Sequence, residues 1–359
     1  MGPKRRERRW AVAVSGLAVA ATALAPALLP GGTGDRPDDR AGHGRLDEDL
    51  GGERAADGGT DARPASAPRA PAAPAAPDDP KPEREVCADG SDPAASLKPS
   101  GADGEAVKRI KDRGRLVVGV DQNSYLWGYR DPATGDLEGF DIDLVKAIAE
   151  DILGDDAEIT YKTIPTDQRI PAIQDGEVDM VVRTMTINCS RAEEVAFSNA
   201  YFESGQQLLV PQSSPIDGIN ESITRKRICI ATGSTAEEVL NREEYPLGAV
   251  LVKVPNQLDC LVRVQVGEAD AVLTDNALGA GQAAQDSSVQ LVGGLGSIEP
   301  YGVAMHKDDK DLVRRVNKVL DDYTQGGGGS KWSASYEKWL AEIIPDDDPK
   351  PPAPIYSDD

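Results

Sequence analysis

Three short stretches carry groups suited to holding charge. VVRTMTINCSR offers Arg183, Thr184, Thr186 and Arg191; TGSTAEE places Ser234 and Thr235 in a Gly-Ser-Thr turn; TDNA presents Asp275. Each follows an apolar, strand-like run: VDMVVRTMT (178–186), RICIATG and ADAVLTD. In open α/β sheets, ligands settle beyond the carboxyl ends of strands, in the loops that open the next helix. The guanidiniums, hydroxyls and carboxylate of these loops can pair opposite charges, and beyond Asp275 they offer no clear proton donor. The two histidines, His43 and His306, lie far apart, which argues against His-based acid/base chemistry and a His-rich metal site. The cysteines at 87, 189, 229 and 260 form no C-x-x-C, which argues against zinc knuckles and thioredoxin-like redox chemistry. No cofactor or metal is expected.

The elements that must position these loops alternate. RLVVGV (115–120) is a short apolar run, and GFDIDLVKAIAEDIL (139–153) carries Val145, Ile148, Ala149 and Ile152 at helical spacing. AEITYKTI reads as a strand and Thr166 as the cap of a helix through Ile173. The second half repeats the rhythm: RICIATG, AVLVKV, ADAVLTD and VQLVGG as strands, with STAEEVL, NQLDCLVRVQVG and NALGAGQAAQ as helices. YGVAMH is a further strand before two closing helices. Such alternation predicts α/β architecture with mostly parallel sheets.

The chain has 359 residues with 61 acids and 39 bases, a net charge of -22. The first nine residues hold five bases and one acid, so the rest carries -26. Nucleic acid is therefore a poor partner. MGPKRRERRW and the apolar run to Leu29 read as an export signal, or as an uncleaved anchor, within residues 1–30; cleavage after Ala27 and a twin-arginine route both stay open. Either way the bulk of the chain lies outside the cytoplasm, secreted or anchored to the membrane. An even number of cysteines there makes two disulfides the default. Residues 31–104 are rich in Gly, Ala, Pro and Asp and read as a disordered stalk, and 345–359 as a disordered acidic tail. The core, 105–344, holds 14 of the 16 aromatics, enough for two lobes.

Across that core, RGRLVVGVD, GFDIDL, PAIQDGEVDMVV, FSNAYFESGQQLLV, ICIATGST, ADAVLTD, PYGVAM and YEKWL together resemble the amino-acid-binding clade of bacterial extracellular solute-binding proteins, nearest the actinobacterial glutamate/glutamine-binding subgroup. The cysteine contexts EVCADGSDPAASLKP, TINCSRAEE, RICIATGST and LDCLV and the PAPIY tail fit that subgroup. The chain departs from it in lacking a lipid-bearing cysteine and in carrying QGGGGSKW before its last helix. The resemblance implies the type II periplasmic-binding-protein fold: two mostly parallel sheets joined by a two-strand hinge, crossed near Leu209 and Tyr301. Lobe 1 would comprise 105–208 and 301–344, and lobe 2 would comprise 209–300.

The resemblance also assigns roles, and the chemistry agrees. Arg191 would hold an α-carboxylate in a bidentate pair; Thr186 would add a hydroxyl; the N–H groups at Ser234 and Thr235 would add a helix N-terminus; Asp275 would hold the ammonium. Locally, Arg191 could instead pair with Glu193 or Glu194, and Ser234 and Asp275 could serve as caps. Arg183 lies three residues before Thr186 and so faces away if the strand stays regular; at the strand's end it could meet a distal carboxylate. Arg169 is the second candidate cation, with a solvated helix residue as the favoured alternative. Asp121 could accept from an amide or hold Arg183. Tyr125 and Trp127 could wall the pocket or pack in the core. The resemblance further implies that Cys229 pairs with Cys260, leaving Cys87 with Cys189.

The expectation is therefore an extracytoplasmic protein, monomeric and not an enzyme, that closes its lobes on free Glu or Asp, with Asn or Gln as alternatives. Its partner would be an integral-membrane importer of the ATP-driven class or a transmembrane sensor, with sensing slightly favoured. The rival is a cyclohexadienyl-dehydratase-like enzyme on the same fold.

Overall fold

The computed structural model describes residues 83–241 and 248–357. The export segment (1–30) and most of the stalk lie outside the described residues. Phe140–Leu153 forms the helix expected from its spacing and buries Val145, Ile148, Ala149 and Ile152. It covers a five-stranded sheet ordered Glu158–Thr163, Arg115–Val120, Met180–Val181, Ala304–Met305, Ala196–Phe197. A second five-stranded sheet is ordered Val250–Val254, Arg227–Ala231, Ala271–Asp275, Gln206–Pro211, Val289–Gly294. These are the two lobes of the expected α/β fold.

Each sheet is mostly parallel: four of its five strands run the same way, and one, Ala304–Met305 or Gln206–Pro211, runs antiparallel to both neighbours. These two strands directly follow the crossings between lobes. They enter from the cleft, where the parallel strands end, and so must run the other way.

The crossing strands are Phe202–Ser204 and Ser297–Tyr301, paired antiparallel from Glu299 to Tyr301. Tyr301 lies at the hinge as expected, but Leu209 does not: it pairs with Val272 and Leu291 inside the second sheet. FESGQQLLVP reads as one β run, and its break at Gly205 has no hydropathy signal. A Cβ there would lie 2.5 Å from the Ser297 carbonyl oxygen, so the two crossings can touch only through glycine. Glu83–Arg84 adds a third hinge strand, parallel to Ser297–Ile298. Trp127, fully buried, packs edge-on against Phe140, Phe202 and Tyr301 beneath the hinge.

Two segments expected to be disordered are packed instead. Ala94 and Ser96 are buried; Ser96 Oγ donates to the Phe197 carbonyl at 2.7 Å, and Asn317 Nδ2 donates to Ser96 Oγ at 2.9 Å. The tail joins the same place: Ser96 N–H donates to Ile355 and Ser357 N–H to Ser96, each at 2.9 Å, while the Tyr356 hydroxyl bonds Asp321 at 2.9 Å. Few apolar side chains are needed because backbone pairing and a disulfide supply the order. The Cys87–Cys189 and Cys229–Cys260 bridges are both formed, with Cα separations of 5.5 and 5.4 Å.

Candidate functional site

Between the lobes lies a cavity with only about 30 Å³ of room for the centres of water-sized molecules. Arg169, Arg183, Arg191 and Asp121 line it from the first lobe, and Thr235, Gln257 and Asp275 from the second. Thr184, Thr186 and Ser234 border it too, so every residue expected at the site reaches one cavity. Tyr125 and Trp127 do not line it.

The strand carrying Arg183 is shorter than its apolar run. It spans Met180–Val181, and Thr184 has φ 41°, a left-handed conformation that a threonine adopts only under constraint. The Thr184 N–H donates to Asp141 Oδ2 at 3.1 Å. This break abolishes the alternation that would have sent Arg183 and Thr186 to opposite faces. Arg183, 3 % exposed, lies 3.1 Å from Asp121 Oδ2 and donates through Nη1 to Thr166 Oγ1 at 3.0 Å. Its Nε and Nη2 have no well-aligned hydrogen-bond partner. Thr166 thus opens a 3₁₀ turn and holds an arginine; its side chain makes no capping bond.

Arg169 is not solvated. It is 4 % exposed, and its Nη2 reaches the Gly233 carbonyl of the second lobe at 3.3 Å. Burial and the charges of Arg191 and Arg183 pull its pKa well down. A guanidinium still keeps its proton, so Arg169 is a strained cation in want of an anion. Arg191 donates through Nη1 to Thr186 O at 2.9 Å and through Nη2 to Gly233 O at 3.1 Å. Neither Glu193 nor Glu194 pairs with it; Glu238 of the second lobe lies 3.8 Å away. Gly233 has φ 75°, and a Cβ there would meet the Asp167 Cα at 2.9 Å, so this approach between lobes requires glycine. Asn188 caps the helix Cys189–Glu194 by accepting from Arg191 N–H, and its amide donates to Glu238 Oε2 at 3.0 Å.

On the facing wall, Ser234 behaves as a cap: its N–H is committed to Ala231 O at 3.1 Å and its Oγ accepts from Glu237 N–H at 3.3 Å. Asp275 does not cap its own helix. Gln206 Nε2 donates to its Oδ1 at 2.5 Å, and the Tyr301 hydroxyl donates to Oδ2. Burial pushes the Asp275 carboxyl above its ordinary range, against these bonds and the nearby charges of Arg191 and Arg169.

Sequence reasoning missed Gln206, Gln257 and Glu299. Gln257 Nε2 is buried at the cavity without a partner. Glu299 Oε2 accepts from Thr186 Oγ1 at 3.0 Å, Thr235 Oγ1 at 2.9 Å and Gln206 Nε2 at 3.0 Å. Burial, then the Asp275 charge, raises its pKa to about 7. Glutamine and glutamate on a hinge have no local signature; only closure of both crossings beside the cleft marks them.

Two α/β lobes meeting over a charged cleft define the solute-binding class of protein. The family model for bacterial extracellular solute-binding proteins, family 3, matches residues 116–342, and the chain belongs to that family. It is 36 % identical over 256 residues to the ABC transporter glutamine-binding protein GlnH of Bacillus subtilis (strain 168), covering 69 % of this chain and 92 % of that one. It is 26 % identical over 266 residues to the glutamate/aspartate import solute-binding protein of Escherichia coli (strain K12), covering 72 % and 84 %. Among solved structures it resembles an ancestral arginine-binding protein bound to glutamine, at 34 % identity and TM-score 0.58, covering 64 % of this chain and 98 % of that one.

Proposed function

We propose that the protein captures a free amino acid with an acidic side chain, or its amide, outside the cytoplasm and presents it to a membrane partner. One observation carries this reading. Three buried guanidiniums (Arg169, Arg183, Arg191) share the cavity with two lining carboxylates (Asp121, Asp275), one positive charge over among the lining groups; a further anion, Glu238, stands 3.8 Å from Arg191 with its side chain 40 % exposed. An uncompensated buried charge costs several kcal/mol, and a ligand with two carboxylates and one ammonium removes it.

In this reading Arg191 turns from the Gly233 carbonyl to the ligand's α-carboxylate, helped by the Thr186 and Thr235 hydroxyls, which turn from Glu299 to donate to it. Asp275 takes the ammonium. Arg183, whose Nε has no partner and whose Nη2 is ion-paired with Asp121, meets the distal carboxylate or amide with Arg169; Thr184 lines the same end, and Gln257 can donate there. Ser234 shapes the turn. The cavity's small volume admits an amino acid only when the lobes part, a hinge motion about the two crossings. The relatives' names, glutamine-binding and glutamate/aspartate import, support this ligand class and favour an importer of the ATP-driven class over a sensor as the partner. They also speak for binding rather than catalysis, and incubation with arogenate or prephenate would expose a dehydratase by its aromatic product. The segment 1–30 directs export or anchors the chain. A thermal-shift screen of the twenty amino acids tests the proposal: glutamate, aspartate or their amides should raise the melting temperature most, and no shift with any amino acid would sink it.

A further inference from the structure

Glu299 does not line the ligand cavity, yet the residue is only 7 % exposed and its carboxylate is bound to both of the cavity's walls. Its three donors come from the first lobe (Thr186) and the second (Thr235, Gln206). The Gln206 nitrogen that reaches Glu299 also donates to Asp275, so a single amide nitrogen stands between two buried carboxylates. Gln206 Oε1 has no partner, and turning the amide would set a carbonyl oxygen between two anions. On its other side Glu299 borders a separate groove of about 420 Å³ behind the hinge, which gives a proton access without opening the ligand cavity.

We propose that Glu299 is a specificity-determining residue of the amino-acid site: with its carboxyl neutral the closed cleft matches an acidic side chain, and with it ionised the cleft matches the corresponding amide. The inference rests on the proposed amino-acid site. A neutral Glu299 leaves the one positive charge counted above, which a distal carboxylate cancels. An ionised Glu299 cancels that charge itself, and a second distal anion is then in excess. With its pKa held at about 7 by burial and by Asp275, both forms occur in the neutral range. The titratable groups facing it are Asp275 through the shared Gln206 amide, Tyr301 on its own strand and Glu238 on the second-lobe helix. Arg84, Glu85 and Asp92 face it across the groove. Arg84 is tied to Glu203, so it does not neutralise Glu299.

The test is the ratio of glutamate to glutamine affinity, measured calorimetrically on the full chain at pH 6.0 and 8.5. The α-groups of the two ligands are the same and cancel from the ratio. The ratio should fall about tenfold as pH rises, equivalent to a coupling of one pKa unit, and Glu299→Gln should hold it near its low-pH value at both pH values. A constant ratio in the unmodified protein overturns the inference, as does an equal fall in Glu299→Gln. Asp141, whose carboxyl burial also raises to about 7, is the competing group. A fall that persists in Asp141→Asn supports Glu299, and one that vanishes there overturns the assignment even if Glu299→Gln does not fold. Absence of binding by either amino acid would remove the proposed function itself, a result distinct from a flat ratio.

Discussion

The first lobe brings Arg169, Arg183 and Arg191 to the cavity, with Asp121 behind them; the second brings Asp275, Thr235 and Gln257. One wall is thus cationic, and the other carries a single carboxylate among neutral donors. The cationic wall is braced partly within its own lobe, Arg183 by Thr166 and Asp121 and Arg191 by the Thr186 carbonyl, and partly across the cleft, where Arg169 and Arg191 both donate to the Gly233 carbonyl. The anionic wall is braced by the hinge, through Gln206 and Tyr301. In the proposed reading, the Arg183 end of the carboxylate site is therefore set before the lobes meet, whereas the ammonium site depends on Tyr301 of a crossing strand and on Gln206 just after the other.

Substitutions on the two walls should separate these roles. Arg191→Ala should have the largest effect, because a bidentate pair of charge-assisted hydrogen bonds at roughly 1.5–3 kcal/mol each is removed. Affinity for every amino acid should fall about a thousandfold, and unchanged calorimetric affinity would refute the assignment. Asp275→Asn should weaken all amino acids about a hundredfold and alike, since the ammonium is common to them; a loss confined to acidic ligands would place Asp275 at the wrong end. Arg183→Ala should cost glutamate and aspartate about tenfold more than asparagine and glutamine. Equal losses across that panel would remove its side-chain role.

The smallest effect concerns stability. Asp141 accepts from the Tyr201 hydroxyl at 2.8 Å and from Thr184 N–H. Its folded pKa is raised by burial from 3.8 to about 7, so its stabilising contribution is complete below about pH 4 and is lost as pH rises through about 7. The melting temperature should fall by a few degrees between pH 5 and 8, and less in Asp141→Asn. Parallel curves for the two proteins would show that Asp141 does not titrate there.

Much of the cleft could be read from the sequence because its loops follow apolar strands, and Arg183, Arg191 and Asp275 announce their charge beside them. What escaped has a common cause. Arg169 opens a helix whose spacing says nothing of which lobe lies opposite. Gln206 and Glu299 meet behind the cleft, where a glycine lets the crossings approach at Gly205. The packing of Ser96 against Phe197, Asn317 and the tail joins residues more than a hundred positions apart, and composition alone describes both partners as loose chain. The mostly parallel order holds except at the one strand after each crossing, where direction is set by the route of the chain rather than by its residues.

The strap formed by Glu83, Arg84 and Cys87 places the hinge in the path of mechanical load. Tension applied to the chain ahead of Glu83 is borne first by the short parallel pairing with Ser297 and Ile298. It then passes through the covalent Cys87–Cys189 link, two positions before Arg191. A pull on the chain ahead of Glu83 thus reaches the pivot and the Arg191 loop before any other part of the body.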